Sequence, residues 1–281
     1  MSEKSMQGKT AIVTGANRGL GREMTRQLAA KGAKVIMACR SVRHAGEVRA
    51  ELENENPEAQ LQVMELDLAD RGSITGFADS FIKAYKTLDV LINNAGVQTP
   101  DRQVTPDGVE LTFAINVLGP QLLTRALLPA LKAAAAPRIV NVASDYAGGL
   151  DMEDLNFERR RYDAIAAYKQ SKQANRMLTR EWARRLQADG ITANSMTPDL
   201  VASTDLFRHQ PAAVKLLLRF IGLFAGASVR QGADTAVWLA SDPEVAGATG
   251  GYYRKRRRMD CRFDAPKTEQ QLWDKCTEMG G

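Results

Sequence analysis

Tyr168 and Lys172 are a pair of residues whose types and spacing could carry chemistry. They stand four positions apart in a segment that predicts a helix from about residue 164, so their side chains share one face of that helix, one turn apart. A phenol beside an ammonium group can take part in proton transfer. Such a pair also arises often by chance, so the prediction requires further groups at the same place.

Polar residues and glycines stand where several predicted strands end. These groups are Gly15, Arg40, the Asn-Asn-Ala-Gly block at 93–96, Ser144 and Thr197. Ligands of open parallel sheets bind beyond the carboxyl ends of the strands. The groups therefore predict one site at one edge of a sheet, which the helix with Tyr168 and Lys172 would complete.

The segment from Thr14 to Gly21 has the pattern Thr-Gly-x-x-x-Gly-x-Gly between the first predicted strand and the first predicted helix. Its glycines permit a tight turn and a close approach to a pyrophosphate, and the start of the helix supplies N–H groups and a partial positive charge. The segment predicts a dinucleotide-binding turn, whose candidate residues are Gly15, Asn17, Arg18, Gly19, Leu20 and Gly21.

Two arginines indicate which dinucleotide the turn would bind. Sites for NAD carry an Asp or Glu about twenty residues after the turn, which accepts a hydrogen bond from the ribose 2′-hydroxyl. Here Arg40 stands nineteen residues after Gly21, and Arg18 adds a second cation within the turn. A guanidinium can bind a 2′-phosphate through paired hydrogen bonds, so the sequence favours NADP over NAD. Two ordinary surface arginines are the alternative interpretation.

Short apolar runs alternate with helix-compatible segments, which predicts a single-domain α/β fold with a doubly wound parallel sheet and helices on both faces. The predicted strands are 11–13, 35–38, 60–66, 90–92, 139–142 and 191–196. The Leu/Ala-rich segment 112–135 predicts one long helix despite Pro120 and Pro129, and 164–188 predicts another. No linker divides residues 1–281, and about 252–281 is interpreted as a C-terminal extension.

The composition, with 44% hydrophobic and 25% charged residues, excludes collagenous and disordered chains. Three scattered cysteines, a polar start and no long apolar run predict a cytoplasmic protein. The basic runs 159–161 and 254–258 are interpreted as solvated surface, with polyanion or membrane binding as the alternative. Two distant histidines and no ligand motif predict no metal site.

Together these motifs resemble the short-chain dehydrogenase/reductase family. The glycine turn, the block at 93–96, Asn116, Ser144 and Tyr168-x-x-x-Lys172 stand in the family's order over nearly the whole chain. Within the family the chain is most similar to the retinol dehydrogenase-like branch, through the segments Thr14-Gly-Ala-Asn, Met37-Ala-Cys-Arg40, Arg138-Ile-Val-Asn-Val, Leu150-Asp-Met-Glu-Asp-Leu-Asn156 and Gln271-Leu-Trp-Asp-Lys275. The resemblance implies a Rossmann-type fold and hydride transfer between NADP(H) and an alcohol or carbonyl group.

The resemblance also implies roles for the site residues. Tyr168 would be the general acid in carbonyl reduction and the base in reverse, with its pKa lowered by Lys172 and by the positive charge of the nicotinamide. Lys172 would also hold the nicotinamide ribose, and Ser144 would donate to the substrate oxygen. Asn116 would hold a water that links Lys172 to solvent. The cofactor contacts implied beyond the glycine turn and Arg40 are Asp67, Leu68, Asn94, Ala95, Gly96, Tyr168, Lys172, Thr197 and Pro198.

One loop departs from the family's pattern. The chain has Asp199 after Pro198, where the family usually has glycine, and Ser203 followed by Thr204 where the family has a threonine. A carboxylate near the nicotinamide would reshape this loop or repel an anionic substrate.

The family's substrate-covering segment corresponds to about 205–229, which is rich in Leu and Phe. An apolar lid predicts a small lipophilic aldehyde or ketone, or the corresponding alcohol, as substrate. Core packing is one alternative, and peripheral membrane contact with Lys215 and Arg219 at its edge is another. No nucleic-acid partner is expected, and the resemblance implies a homodimer or homotetramer formed through the long helices. A non-catalytic NADP(H) sensor is the competing function, and a sugar-nucleotide epimerase is the alternative within the fold.

Overall fold

The computed structural model describes residues 4–198 and 228–281. All but the last two residues of the predicted lid at 205–229 lie outside the described residues, as do Asp199, Ser203 and Thr204. The strands are β1 (Thr10–Thr14), β2 (Lys34–Cys39), β3 (Gln60–Glu65), β4 (Val90–Asn93), β5 (Arg138–Val142), β6 (Thr192–Met196), β7 (Tyr252–Arg254) and β8 (Arg257–Met259). The α-helices are α1 (Gly19–Ala30), α2 (Val42–Glu55), α3 (Arg71–Ala84), α4 (Leu111–Phe113), α5 (Gly119–Ala126), α6 (Leu128–Lys132), α7 (Ala164–Arg185), α8 (Val229–Ser241) and α9 (Pro266–Gly280).

The described strands form one sheet in the order β3-β2-β1-β4-β5-β6-β7-β8, in which only the β7–β8 pair is antiparallel. The chain builds outward from β1 to β3 and then returns to place β4 on the other side of β1. This reversal leaves a crevice at the carboxyl ends of β1 and β4, where open α/β sheets bind their ligands. The predicted doubly wound parallel sheet is confirmed, and all six predicted strands are present.

The core has one layer on each face of the sheet, because successive strand residues point to opposite faces. On β1, Val13 packs into the layer with residues of α1, α2 and α8, whereas Ile12 packs into the layer with residues of α3, α5 and α7. Strands β1, β4 and β5 are buried almost throughout, as expected for parallel strands covered on both faces. The two layers hold the strand ends, and therefore the site, in fixed positions.

The segment predicted as one long helix at 112–135 is helical over most of its length, but it is not a single α-helix. The segment consists of α4, a π-helix at Ala114–Leu118, α5 and α6. Pro120 and Pro129 each lie in the first turn of a new helix, where the missing N–H leaves no hydrogen bond unmade. The two prolines therefore mark the starts of helices. The π-helix between α4 and α5 carries Asn116.

The C-terminal extension contains a hairpin that the sequence analysis did not predict. The basic run at 254–258 forms the turn between β7 and β8, with Lys255 and Arg256 at φ of 48° and 59°. Arg257 and Arg258 are exposed on β8, at the edge of the sheet, where charged side chains discourage pairing with another chain. Arg256 forms an ion pair with Asp234 of α8, so the run is not only solvated surface.

Helix α9 packs against α7 through an ion-pair network and an aromatic contact. Glu269 is fully buried, and its two carboxylate oxygens accept from Arg180 and Arg184 of α7. Trp273 meets Trp182 edge-on, with ring centroids 4.6 Å apart. Among the helices of residues 4–198 and 228–281, none has the length and apolar character to cross a lipid bilayer.

Candidate active site

The structure places the predicted strand-end groups at one edge of the sheet. Gly15 directly follows β1, Arg40 follows β2, Asn94 follows β4, and Thr197 follows β6. Ser144 lies two residues beyond the end of β5. Because these strands are parallel neighbours, all of these residues lie at the same, carboxyl edge.

The glycines of the turn meet two backbone requirements. Gly15 and Gly19 have φ of 65° and 50°, in the left-handed region that favours glycine. A Cβ on Gly21 would lie 2.2 Å from the Gly15 carbonyl oxygen and 2.7 Å from Asn94 Nδ2, so only glycine allows α1 to approach β1 this closely. The N-cap residue Arg18 makes no side-chain cap, and the first turn of α1, which includes Leu20, holds no carboxylate. The start of α1 is therefore suited to bind an anion.

Asn94 connects the glycine turn to β4. Its Nδ2 donates to the Thr14 carbonyl oxygen at 2.8 Å, and the N–H groups of Asn94 and Ala95 donate to Thr14 Oγ1 at 2.9 and 3.0 Å. A Cβ on Gly15 would lie 3.2 Å from the Cα of Ala95. Asn94 and Ala95 thus fix the shape of the turn, and their direct contact with adenosine stays a prediction.

Arg18 and Arg40 lie on one side of the turn. Cys39 shows this, because its thiol contacts the turn that carries Arg18, and Arg40 is the next residue in the chain. The buried Cys39 thiol accepts from the N–H groups of Ala16 and Asn17, and the charge of Arg18 acts on it. Burial is the larger effect and raises the pKa of this thiol to about 11. Arg40 follows Cys39 directly and is exposed, as is Arg18. Two exposed arginines therefore occur here, one in the turn and one directly after β2.

Asp67 and Leu68 follow β3 on the same side of the sheet. Asp67 Oδ1 accepts from the Ala69 N–H at 2.9 Å, so this carboxylate shapes its own loop. Leu68 is buried, and a Cβ on Gly119 would lie 2.4 Å from its carbonyl oxygen. Both residues are thus held in place beside the end of β2, and their role in an adenine pocket stays a prediction.

Burial dominates the acidity of the Tyr168 phenol. The residue is 6% exposed, and burial raises its pKa to about 12, whereas a hydrogen bond with the Ser144 side chain acts in the opposite direction. Ser144 Oγ accepts from the Tyr146 N–H at 3.0 Å, which fixes the hydroxyl beside the phenol. Lys172 Nζ lies 5.6 Å from the centroid of the Tyr168 ring. Among the protein's own groups only the hydrogen bond with Ser144 lowers this pKa, so the expected lowering by Lys172 is not found.

Lys172 is a buried amine between β5 and the π-helix. Its Nζ donates to the Val142 carbonyl oxygen at 2.9 Å, and burial lowers its pKa to about 8. A Cβ on Gly96 would lie 3.5 Å from Lys172 Nζ and 3.3 Å from Asn116 Oδ1. The absence of a side chain at Gly96 therefore leaves the amine and the amide facing one small space.

The Asn116 amide is held by three hydrogen bonds. Its Nδ2 donates to the Val97 carbonyl oxygen at 2.9 Å and to Ser171 Oγ at 3.0 Å, and its Oδ1 accepts from the Val97 N–H at 2.8 Å. Asn116 therefore ties the π-helix to α7 and to the loop after β4. The water that it would hold beside Lys172 stays a prediction.

Sequence reasoning missed the group that anchors this helical segment. Glu110 is fully buried, and its carboxylate accepts from the N–H groups of Thr112 and Phe113 at 2.8 and 2.7 Å. The Tyr162 hydroxyl donates to the same carboxylate at 3.2 Å. Glutamate is not among the favoured N-cap residues, so the sequence carried no signal for this cap.

Thr197 and Pro198 lie at the end of β6, opposite Ser144. The Thr197 N–H donates to the Tyr253 carbonyl oxygen at 2.9 Å, and Thr197 Oγ1 accepts from the Asp145 N–H at 3.1 Å. The site is therefore enclosed by the ends of β4, β5 and β6 together with α7. Within the parts of the chain that the structure describes, no group of three His, Cys, Asp or Glu is arranged to hold a metal ion.

These residues fit a nicotinamide dinucleotide. The start of α1 and the two arginines suit phosphate groups at one end of the edge. A phenol, a hydroxyl and an amine meet at the other end, where they suit an alcohol or carbonyl group. The glycine turn, Asn94 and Gly96 form the floor between the two ends.

Comparison with known proteins agrees with this geometry. The model of the short chain dehydrogenase family matches residues 9–215, and the chain belongs to that family. It is an oxidoreductase that acts on alcohol or carbonyl groups with a nicotinamide cofactor.

The relatives place the chain in the retinol dehydrogenase-like branch. It is 38% identical over 278 residues to human retinol dehydrogenase 12, covering 98% of this chain and 87% of the relative, and 39% identical over 293 residues to human retinol dehydrogenase 14, covering 96% and 85%. It is 38% identical over 276 residues to mouse polyprenol dehydrogenase, covering 95% and 82%.

Solved structures share the fold. A crystal structure of an uncharacterized protein from Mycobacterium Paratuberculosis is 31% identical with a TM-score of 0.76, covering 98% of this chain and 94% of that chain. A structure from Beutenbergia cavernae, described as an NAD(P) dependent gluconate 5-dehydrogenase with bound NADP at low occupancy, is 26% identical with a TM-score of 0.72, covering 90% and 97%.

Proposed function

We propose that the protein is an NADPH-dependent reductase of lipophilic aldehydes or ketones, which oxidises the corresponding alcohols in the reverse direction. The observation that carries the proposal is the buried Tyr168 phenol, hydrogen-bonded to Ser144 and one helical turn from Lys172. The cofactor, when bound, supplies or accepts the hydride. The chain's own residues bind the substrate oxygen and move its proton.

Tyr168 is the proton donor for reduction, because burial keeps its phenol protonated at neutral pH. Ser144 donates a hydrogen bond to the same substrate oxygen, on which negative charge grows during the reaction. Lys172, with a pKa of about 8, exchanges a proton in the physiological range and lies beside the Asn116 amide. These two residues give Tyr168 a route by which its phenolate regains a proton after the phenol has donated to the substrate oxygen.

The preference for NADPH rests on the charges beside the glycine turn. Arg18 and Arg40 lie on one side of it, and a 2′-phosphate would gain two cationic partners there. The first residue after β2 is a cation, where an NAD site would have a carboxylate that accepts from the ribose.

A lipophilic substrate is supported by two independent observations. The relatives are named for retinol and polyprenol, which are apolar alcohols. The segment 205–229 of this chain is rich in Leu and Phe. We place bulky apolar carbonyl compounds, retinal included, first in any test.

The test is NADPH oxidation by the purified protein with a panel of apolar aldehydes and ketones. We expect turnover with NADPH and little with NADH. In Tyr168→Phe the turnover rate with NADPH should fall at least about a hundredfold. Tyr85→Phe removes a surface phenol that is bonded to Gln62 and is the matched control. Tight NADPH binding without turnover of any panel member would instead favour the non-catalytic sensor.

Cofactor choice is tested separately at Arg40. Arg40→Ala is expected to raise the KM for NADPH about tenfold and to leave that for NADH nearly unchanged, because only NADPH carries the 2′-phosphate. Arg43→Ala, which removes an exposed arginine of α2 paired with Glu47, is the matched control. An equal effect of Arg40→Ala on both cofactors would contradict the NADP preference.

A further inference from the structure

A side-chain bridge connects the Ser144 turn to the C-terminal strand β7. Asp145 Oδ1 accepts from the Tyr252 hydroxyl at 2.5 Å, and its Oδ2 lies 3.3 Å from Arg254 Nη1. Tyr252 and Arg254 are alternate residues of β7, so their side chains lie on the same face of the strand. The residue next to Ser144 in the chain is thus held by a strand more than a hundred positions away.

Arg176 packs against the ring of Tyr252. Its guanidinium carbon lies 3.6 Å from the centroid of the Tyr252 ring and 4.8 Å from that of Phe263. Arg176 is buried, and within residues 4–198 and 228–281 no carboxylate pairs with it. Besides the two aromatic faces, its Nη2 donates to Cys261 Sγ at 3.7 Å. Arg176 follows Lys172 by one turn on α7, so the residue that packs on Tyr252 and the proposed catalytic groups Tyr168 and Lys172 lie on one helix.

The Tyr252 hydroxyl is a permanent donor in this arrangement. Burial, and then the hydrogen bond to Asp145, raise the pKa of the phenol well above its usual value. A neutral hydroxyl that donates to a carboxylate forms a charge-assisted hydrogen bond, which is stronger than one between neutral groups. The Tyr252 phenol therefore stays protonated and able to donate across the pH range in which the enzyme would work.

We infer that Asp145 and Tyr252 are positioning residues for carbonyl reduction, which hold the Ser144 hydroxyl within reach of the Tyr168 phenol and of the substrate oxygen. The inference rests on the proposed function. The backbone of the turn has its own supports, since Asp145 N–H donates to Thr197 Oγ1 at 3.1 Å and Ala143 N–H donates to the Met196 carbonyl oxygen at 2.8 Å. Loss of the bridge therefore leaves the turn folded and removes only the contact that holds it against β7.

The test compares variants that delete or keep the bridge. Tyr252→Phe and Asp145→Ala are each expected to lower kcat about tenfold, with the KM for the carbonyl substrate and the Kd for NADPH within about twofold of the wild type. The double variant is expected to lose less than the sum of the two single changes, because both remove the Tyr252–Asp145 hydrogen bond, although Tyr252 also contacts Thr197 and Asp145 also pairs with Arg254. Asp145→Asn keeps an acceptor oxygen and is expected to restore kcat to within about threefold of the wild type.

Tyr253→Phe is the matched control. It removes a hydroxyl from the neighbouring residue of β7, which faces away from the bridge and packs against Trp238 with ring centroids 5.8 Å apart. Its kcat is expected to equal that of the wild type.

Three results would overturn the inference. A Tyr252→Phe enzyme with wild-type kcat would do so, as would strictly additive effects of the two single changes. If activity falls only in proportion to the number of NADPH-binding sites, the kcat of each folded molecule is unchanged and the bridge has a purely structural role. In each case the wild type is active, whereas a wild type that reduces no carbonyl in the panel would overturn the proposed function together with this inference.

Discussion

We expect the buried Lys172 amine, which the proposed reaction needs, to lower the free energy of unfolding of the protein. Burial lowers its pKa from 10.5 to about 8, so the folded state holds the ammonium group at a cost of about 3 kcal/mol relative to the unfolded chain. Lys172→Met keeps a long apolar stem and removes the charge, but loses the hydrogen bond to the Val142 carbonyl oxygen, which is worth about 1 kcal/mol. We therefore expect the variant to be inactive as a reductase and about 2 kcal/mol more stable at pH 7.

The pH dependence makes this prediction specific. Below pH 8 the amine is charged in both states and the full cost applies; between pH 8 and 10.5 only the unfolded chain keeps the proton, so the cost shrinks and vanishes near pH 10.5. Urea unfolding of the two proteins without NADP(H), at unit steps from pH 7 to 10, measures the difference, in which the other titrating groups cancel. Lys169→Met, one turn earlier where the side chain is less buried, is the control and should show no such trend. A Lys172→Met protein that is less stable than the wild type at pH 7, or whose advantage does not fall towards pH 10, would refute the reasoning.

Two other substitutions test the glycine turn and the C-terminal helix. Gly21→Ala places a methyl group 2.2 Å from the Gly15 carbonyl oxygen, so we expect at least a tenfold weaker Kd for NADPH in a fluorescence titration, and an unchanged Kd would contradict the close approach of α1 to β1. Glu269→Ala removes the fully buried carboxylate of the network, while Arg180 keeps Asp264 and Arg184 keeps Glu181. We therefore expect a loss of about 2 kcal/mol in the free energy of unfolding by urea, with the NADPH Kd of the folded enzyme nearly unchanged. A change below about 0.5 kcal/mol would mean that the network contributes little.

The elements that the sequence predicted are those with a strong local signal. Buried parallel strands are continuous apolar runs, and the glycine turn has a fixed spacing, so both could be located from the chain alone. The proximity of Tyr168 and Lys172 follows from helical spacing. Ser144 could be placed at the same edge because it follows a strand, and the strand order confirms that edge.

The features that were missed depend on contacts between distant parts of the chain. Asp145 meets Tyr252 only because β7 joins the sheet beside β6, and a strand of three residues, Tyr-Tyr-Arg, is too short to show a strand pattern. The acidity of Tyr168 was judged from its charged neighbours, but burial, which no spacing shows, has the larger effect. The interruption at Leu127 was signalled by Pro129, but the Leu/Ala-rich composition around it favoured a continuous helix.

Helix α9 covers one side of α7 within the same chain. That side of α7 is covered by Leu272 and Cys276 of α9, both fully buried. A second copy could reach that side only if α9 left, which would expose the Glu269 carboxylate and the edge-on contact between Trp182 and Trp273. With α9 in place, the apolar side of α7 that carries Met177 and Leu178 is covered from within the chain, on the same helix that carries Tyr168 and Lys172.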